Sequence, residues 1–258
     1  VGLQQAVNTP YSPFSHLGLQ DKMGEPTQIN DHVLQIENEY YSLVRPKQVP
    51  LAGETPSQAL ANRGVGYVEL RAVDVNPYSD IGIDEDTAGF LEVLALYCLM
   101  QDSPELYDQE LEDIEKNQAE VVNRGRAPNA VIIEHKKQVP ILKWMGQHLD
   151  HMQSLARVLN QTYASRIYTQ ALETMKQRIH KVDETLSAKV IQDTLSHKGT
   201  WSFGSEMANQ HAQSYEAHVL KPDTIEYFKG LAQSSLQKQQ QLEQECTQSF
   251  DEYLTAFR

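Results

Sequence analysis

The feature that most constrains the fold is residues 65–79, where a strand pattern carries two charged side chains. β-Branched and aromatic residues recur through VGYVELRAVDV, and the Asn-Pro pair that follows predicts a turn. Because side chains alternate along a strand, Glu69 and Arg71 share one face, while Val68 and Leu70 occupy the other. The sequence therefore predicts a strand with one face against a core and an acid beside a base on the opposite face.

Glu69 and Arg71 together have the chemistry of a site for a metal ion and a phosphate. Carboxylate oxygens are ligands that Mg²⁺ prefers, and a planar guanidinium binds two phosphoryl oxygens at once. The simpler alternative is an exposed ion pair on the strand, which contributes little to stability. From these two residues alone the ion pair is the favoured interpretation.

Two other stretches have the pattern of strands. Residues 31–45 form a long candidate strand that ends at Pro46, because proline lacks the N–H that a ladder needs. Its second half alternates imperfectly, so a bulge or a solvated face is expected there. A brief strand is predicted at 130–134. The next segment, Arg45-Pro46-Lys47, either reaches a phosphate or forms a solvated turn.

The remaining chain has mainly helical patterns. A short helix is predicted at 55–61, with Thr55 as its N-cap and a proline at its first position. The chain is therefore predicted to be α+β and predominantly helical, with strands of a small antiparallel sheet and connecting segments in residues 1–83, and a helical region packing on that sheet in 84–258. The longer predicted helices span about 84–101, 104–123, 140–159, 161–185, 186–196, 202–219 and 222–256.

Composition narrows the class of protein. The chain has 258 residues, a net charge of −13 and a pI of about 5.1, which argues against nucleic acid or an anionic membrane as partner. There is no apolar run of about 18 residues and no signal-peptide pattern at the start. The two cysteines, Cys98 and Cys246, do not form a disulfide framework. A reducing, cytoplasmic location is expected.

Two motifs resemble the proteobacterial type of glutamate–cysteine ligase. The first is QIENEYYS, followed by VRPK, within residues 35–47. The second is GYVELR, continuing as DVNPYS and GIDE within residues 66–85, in the same order and at the same spacing as in the family. A weaker match is VVNRGRAP at 121–128. Together the motifs cover about residues 1–128, and the helical region agrees in pattern only.

The resemblance implies a reaction, a fold and cofactors. The family joins the γ-carboxyl of glutamate to the amine of cysteine, the first step of glutathione synthesis. ATP phosphorylates the γ-carboxylate, and the amine then attacks the acyl phosphate. The fold is related to glutamine synthetase, with Mg²⁺ ions held between the phosphates and a set of glutamates on a curved antiparallel sheet.

The resemblance also implies roles for particular residues. Glu69 matches a metal-binding glutamate, and Arg71 matches the arginine that contacts the transferred phosphoryl group. Tyr41 matches a tyrosine of the cysteine pocket, although without the resemblance it would be an aromatic residue that packs on the sheet. Asn38 is a further substrate-binding candidate. Strand alternation places Asn38 on the opposite face of the strand from Tyr41 unless a bulge intervenes.

Members of the family are about twice as long as this chain, and most of their metal-binding glutamates lie upstream of the region matched here. The chain is therefore interpreted as the C-terminal half of such an enzyme, with the N-terminal half of the same polypeptide as its partner. Alone it is expected to lack ligase activity.

Two alternatives remain open. One is a related ligase that joins glutamate to another amine, since Tyr41 alone does not define the acceptor. The other is a non-catalytic helical interaction protein. The ligase hypothesis requires Glu69 and Arg71 to face a concave surface with Tyr41 on its rim. The interaction hypothesis requires an exposed apolar patch on the helical half.

A histidine pair is the remaining candidate for metal binding. His148 and His151 lie one helical turn apart, with Asp150 between them. Such spacing is common on helix surfaces, and the sequence supplies no third ligand.

Overall fold

The structure is a computed structural model that describes residues 2–51 and 53–257. It contains two compact units. One consists of Val1–Asp74 with Leu220–Arg258, and the other of Val75–Val219. The division at residue 83 between a sheet region and a helical region stays a prediction.

The described residues form helices and two small antiparallel sheets, so the predicted α+β, predominantly helical class is confirmed. The strands are β1 (Val44–Lys47), β2 (Tyr67–Leu70), β3 (Val131–Glu134) and β4 (Lys137–Pro140). The helices are α1 (Gly2–Ala6), α2 (Ser12–Leu17), α3 (Pro56–Arg63), α4 (Glu85–Leu99), α5 (Asp108–Arg124), α6 (Ile141–Thr162), α7 (Ile167–His180), α8 (Leu186–Ser196), α9 (Thr200–Ala217), α10 (Pro222–Glu245) and α11 (Phe250–Phe257).

The long strand predicted over residues 31–45 is wrong. Only its end belongs to β1, and Glu37–Glu39 is a turn of 3₁₀ helix. The polar side chains of this segment bind nearby backbone groups: Asn30 accepts from the His32 N–H, and Gln35 accepts from the Ile29 N–H. These local hydrogen bonds replace those of a sheet ladder.

Pro46 lies within β1 instead of ending it. It pairs with Val68 of β2. The Arg71 N–H donates to the Leu43 oxygen, and hydrogen-bonded pairs alternate with non-hydrogen-bonded pairs along an antiparallel ladder. Pro46 therefore occupies a non-hydrogen-bonded position, where its missing N–H removes no ladder bond.

The α3 helix connects the two strands and begins as the sequence predicts. Thr55 accepts a hydrogen bond from the Gln58 N–H, and the Gln58 side chain accepts from the Thr55 N–H, which completes a capping box. Gly64 follows the helix with φ of 71°, a conformation that glycine adopts without strain. The cap and this glycine fix the turn from α3 into β2.

The 75–219 unit is built on α4, α6 and α7. Asp84 caps α4 by accepting from the Thr87 N–H. The helices enclose a buried apolar cluster, and β3 and β4 form a hairpin beside it. The cluster contains Val93, Leu149, Met152, Ala156, Leu159, Tyr168, Leu172 and Ile179.

The sequence did not predict β4. The β3–β4 hairpin turns through His135 and Lys136, whose φ values are 48° and 64°. A two-residue hairpin turn of type I′ needs positive φ at both positions, which Asn-Gly or Asp-Gly usually supplies. His-Lys gives no such signal.

The helix predicted over 222–256 is two helices. The first ends at Glu245, and Ser249 precedes the second: its hydroxyl accepts from the Glu252 N–H, while the Glu252 carboxylate accepts from the Ser249 N–H. This capping box starts α11. Among the residues described, none of the helices is both long and apolar enough to cross a membrane.

Candidate functional site

The candidate site lies on the β1–β2 sheet, in the unit that contains Val1–Asp74. The register places Arg45 opposite Glu69 and Lys47 opposite Tyr67. Residues directly opposite in an antiparallel pair point to the same side of the sheet. Arg45, Lys47, Glu69 and Arg71 therefore share one face, which carries three cations and one carboxylate.

Glu69 is bound by two of these cations. The Arg71 Nε lies 3.0 Å from Oε1, and the Lys47 Nζ lies 3.3 Å from Oε2. Hydrogen bonding from Arg71, with a smaller contribution from Lys47, lowers the pKa of the Glu69 carboxyl despite opposing desolvation. Glu69 is thus an anion at neutral pH.

Tyr41 lies beside this charged face. The Arg71 guanidinium is 5.6 Å from the centre of the Tyr41 ring, within the range of a cation–π contact. The Tyr41 side chain is 63% exposed, so one side of the ring remains open to a ligand. The structure brings Tyr41, Glu69 and Arg71 together, as a joint site requires.

Asn38 lies in a different environment. It belongs to the 3₁₀ turn and lines a cavity of about 980 Å³. Neighbouring Glu37 is held there by the N–H and hydroxyl of Ser57. Tyr41, Glu69 and Arg71 do not line this cavity. Residues 37–39 are not a strand, so the alternation that predicted Asn38 and Tyr41 on opposite faces does not apply there.

The sequence left open whether Arg45 and Lys47 reach a phosphate, and it did not place them beside Glu69. Arg45 is 8% exposed, and its guanidinium lies 5.6 Å from the centre of the Tyr40 ring. Lys47 binds Glu69 directly. Their position depends on the register of β1 against β2, and the sequence alone did not supply that register. Of the two interpretations of Arg45-Pro46-Lys47, the solvated turn is wrong, because these residues form a strand.

One oxygen of the Glu69 carboxylate makes an ion pair but accepts no hydrogen bond from the described residues. Its Oε2 atom is buried and receives no hydrogen bond of normal geometry, although Lys47 lies nearby. A carboxylate oxygen in this condition suits a hard cation such as Mg²⁺. Across residues 2–51 and 53–257, no three His, Cys, Asp or Glu side chains are grouped so that they could hold a metal ion.

The histidine pair at 148 and 151 has a structural explanation. The Tyr97 hydroxyl lies 3.1 Å from Nδ1 of His148 and 3.5 Å from Nδ1 of His151. Trp144 packs edge-on against His148 and donates to Glu134. Burial, and to a lesser extent the neighbouring His151, lowers the pKa of His148, so the neutral ring is favoured.

Glu69→Gln should destabilise the chain in a pH-dependent way. Because the pKa of Glu69 is lower in the folded state, its ion pairs stabilise the fold above the unfolded pKa near 4.5. This contribution is lost as the pH falls through the folded pKa. We therefore expect the difference in Tm between wild type and Glu69→Gln to be largest at neutral pH and to shrink below pH 4.5.

Thermal unfolding followed by circular dichroism from neutral to acidic pH measures this difference. Glu226→Gln is the matched control, because Glu226 is exposed on α10 and makes no ion pair within the described chain. A Tm difference for Glu69→Gln that stays constant throughout the acidic range would show that the ion pairs do not stabilise the fold.

The comparisons with known proteins first define the class of fold. A crystal structure of Glutamate--Cysteine Ligase from Francisella tularensis in complex with AMP superposes with a TM-score of 0.88 at 30% identity, covering 99% of this chain and 50% of that one. The β1–β2 sheet is accordingly part of a glutamine-synthetase-like fold.

Sequence comparisons find similarity to the same kind of protein. The family model described as Glutamate-cysteine ligase matches residues 1–121. A Glutamate--cysteine ligase of Azotobacter vinelandii is 38% identical over 99% of this chain, and one of Pseudomonas fluorescens is 36% identical over 99%. The resemblance to glutamate–cysteine ligases that the motifs indicated is thereby confirmed. The chain spans about half the length of the curated relatives it matches, 48% in both cases.

Proposed function

We propose that this chain supplies part of an ATP-dependent ligase that joins the γ-carboxyl of glutamate to the amine of cysteine. The observation that carries the proposal is the joint position of Glu69, Arg71 and Tyr41. Arg71 lies between the carboxylate and the aromatic ring, in the segment whose motif matches the family. The similarity to proteins of this name along 99% of the chain supports the same activity.

The reaction has two chemical steps. A γ-carboxylate oxygen of glutamate attacks the terminal phosphorus of ATP, and ADP leaves. The cysteine amine then attacks the γ-carbonyl carbon, loses a proton, and expels phosphate that retains one carboxylate oxygen. Both steps move negative charge on phosphoryl oxygens, so a positioned guanidinium accelerates them by electrostatic stabilisation. The AMP complex of the Francisella relative supports the use of a nucleotide.

Arg71 is the residue of this chain that we assign to the phosphoryl group. Its Nε already binds Glu69, which leaves the two terminal nitrogens of the guanidinium for phosphoryl oxygens. The contact with Tyr41 limits the orientation of the guanidinium plane. Lys47 and Arg45, on the same face, add positive charge that attracts a polyphosphate.

Glu69 is assigned to Mg²⁺ through its Oε2 atom, which is buried and is paired with the Lys47 ammonium at 3.3 Å. When bound, the cation supplies charge neutralisation for the phosphates. Glu69 alone does not complete a magnesium site, so we propose that further carboxylates come from upstream in the same polypeptide. Lys47 then serves to hold Glu69 in place until the cation binds.

Tyr41 and Asn38 are assigned to substrate binding. The open side of the Tyr41 ring is a surface on which a cysteine side chain packs, since sulfur–aromatic contacts are favourable. Asn38 lines the 980 Å³ cavity, and its amide has both a donor and an acceptor for a polar substrate group.

The partner of this chain is proposed to be an upstream segment of the same polypeptide. The sheet has only two strands, and its uncharged face leaves Val44, Val68 and Leu70 exposed instead of packed on the predicted core. An uncovered apolar face with open strand edges requires a covering element. The half of the relatives' length that this chain does not match is long enough to provide it. A reaction that consumes ATP and a free thiol also fits the expected cytoplasmic location.

The exposed apolar residues of α10 are what a helical interaction protein would show. Within the described chain α10 buries no residue, and Tyr227, Phe228 and Leu231 are exposed. The same surface is equally suited to the proposed upstream segment. Ligase activity distinguishes the proposed ligase from an interaction protein. The amine that is used as acceptor distinguishes it from a related ligase.

ADP release from MgATP tests the function. In the full gene product that contains this chain, we expect sustained ADP formation to require both glutamate and cysteine, because without cysteine the first step releases ADP only once per site. The 258-residue chain by itself should release no ADP above background, since it holds part of the site. Turnover with other amines but not cysteine would favour the related ligase. No ADP with any acceptor would favour the interaction protein.

A further inference from the structure

A second cavity lies within the 75–219 unit, among residues to which no role has been assigned. It has a volume of about 310 Å³, which is in the range of small-molecule sites. The loop after β2 forms one wall, and α7 and α8 form another. The charged side chains that line it are Asp84, Arg178, Glu184 and Lys189.

Both acids of this cavity are already engaged. Asp84 accepts from the Thr87 N–H at 2.7 Å and from the Asn76 amide at 2.9 Å. Although partial burial opposes ionisation, these hydrogen bonds and the charge of Arg178 lower the pKa of Asp84. Glu184 forms an ion pair with Lys181 at 2.8 Å. Asp84 is thus held by neutral donors and interacts with the charge of Arg178, while Glu184 is paired with a lysine that does not line the cavity.

Neither cation of the cavity forms a direct ion pair with another described residue. Within residues 2–51 and 53–257, no carboxylate oxygen lies within 4.0 Å of the charged nitrogens of Arg178 or Lys189. Among the described residues, Arg178 donates a hydrogen bond only to the Met175 sulfur, at 3.7 Å, which is a weak acceptor. Lys189 lies 4.6 Å from the centre of the Tyr78 ring. This cation–π contact fixes the ammonium but leaves its charge in place.

Tyr78 is held so that it supports Lys189. Its hydroxyl donates to Asp193 at 2.5 Å, and the ring packs against Phe203. Burial, with the Asp193 hydrogen bond and charge, raises the pKa of Tyr78 to about 12, so the hydroxyl stays protonated and remains a donor. The Tyr78 ring that contacts Lys189 is therefore held both at its hydroxyl and through its ring contact with Phe203.

The start of α8 adds to the positive potential. Thr185 caps this helix, and Leu186, its first residue, lines the cavity. A helix N-terminus carries a partial positive charge and N–H groups without intrahelical partners. This dipole acts together with the guanidinium and the ammonium, which carry the main charge.

We infer that this cavity binds a small anion through a phosphoryl or carboxylate group held between Arg178 and Lys189. Arg178 supplies a planar pair of donors for two oxygens of the group, and Lys189 supplies a point charge. Asn76 and Ser79, which also line the cavity, are polar groups for the rest of the ligand. The inference does not depend on the proposed ligase activity.

The test is a titration of the 258-residue chain with inorganic phosphate and, separately, with succinate, at constant ionic strength. Isothermal calorimetry gives the affinity, and the ¹H–¹⁵N signal of the Arg178 Nε–H, assigned by its loss in Arg178→Gln, reports contact. We expect saturable binding of at least one probe with a shift of this signal. Arg178→Gln should weaken binding about tenfold or more, and Lys189→Gln should weaken it severalfold.

Two matched variants control for the loss of charge. Arg157→Gln and Lys143→Gln each remove an exposed cation of the same unit that does not line the cavity. Both should bind as wild type does, and circular dichroism checks that all four variants keep their helix content. Binding of phosphate alone assigns a phosphorylated ligand, and binding of succinate alone assigns a carboxylate. Absence of saturable binding of both probes at millimolar concentration, or equal weakening by the control variants, overturns the inference.

Discussion

Arg71→Ala in the full gene product should lower kcat by a factor of about 10² or more. The alanine removes the guanidinium that contacts both Glu69 and the Tyr41 ring. Charge that develops on the phosphoryl oxygens would then lack its fixed counter-charge. Because this interaction strengthens in the transition state, the loss should fall on kcat more than on KM for glutamate.

Two variants make the Arg71 experiment specific. Arg71→Lys keeps the charge but loses the paired donors of the guanidinium, so it should recover only part of the activity. Arg126→Ala removes an exposed arginine that has no ion pair within the described chain, and it should retain wild-type kcat. If Arg71→Ala kept kcat within about tenfold of wild type, its role would be the surface ion pair that the sequence alone favoured.

Leu172→Ala should have the largest effect on stability, about 2–5 kcal/mol in the free energy of unfolding. Leu172 is 0% exposed on α7, at the centre of the cluster shared with α4 and α6. The chain backbones are close here: a Cβ added to Gly89 of α4 would lie 3.4 Å from the Ala171 Cβ. Tightly packed helices relax little, so most of the cavity left by the missing side chain should persist.

Urea unfolding followed by circular dichroism measures the Leu172 effect. Leu195→Ala is the matched control: Leu195 is 74% exposed on α8, and the same substitution there should change stability by about 0.5 kcal/mol or less. Leu172→Met should cost less than about 1.5 kcal/mol because it nearly conserves volume. Equal effects of Leu172→Ala and Leu195→Ala would contradict the assignment of this cluster as the core of its unit.

Local signals in the sequence were sufficient where a neighbouring residue caps the end of a helix. The Thr55 cap and Gly64 define α3, and α8 has the predicted limits because Thr185 caps it. The segment before β1 could not be predicted in this way. Its apolar and β-branched residues suggest a strand, but side-chain hydrogen bonds such as that of Asn30 to the His32 N–H depend on how the backbone bends.

The candidate site was predictable only in part. Alternation was enough to place Glu69 and Arg71 on one face. The contact between Arg71 and Tyr41 depends on how residues 39–43 approach β1, which no local pattern encodes. The positions of Arg45 and Lys47 follow from a strand register that long-range pairing decides.

The transfer of oxygen from glutamate to phosphate tests the proposed ligase most directly. Glutamate labelled with ¹⁸O in its γ-carboxyl is incubated with MgATP, cysteine and the full gene product, and the released phosphate is analysed by mass spectrometry. Activation through a γ-glutamyl phosphate predicts one ¹⁸O atom in each phosphate formed, with Arg71→Ala slowing the appearance of that label. Phosphate released without ¹⁸O during turnover would contradict the mechanism and the role assigned to Arg71.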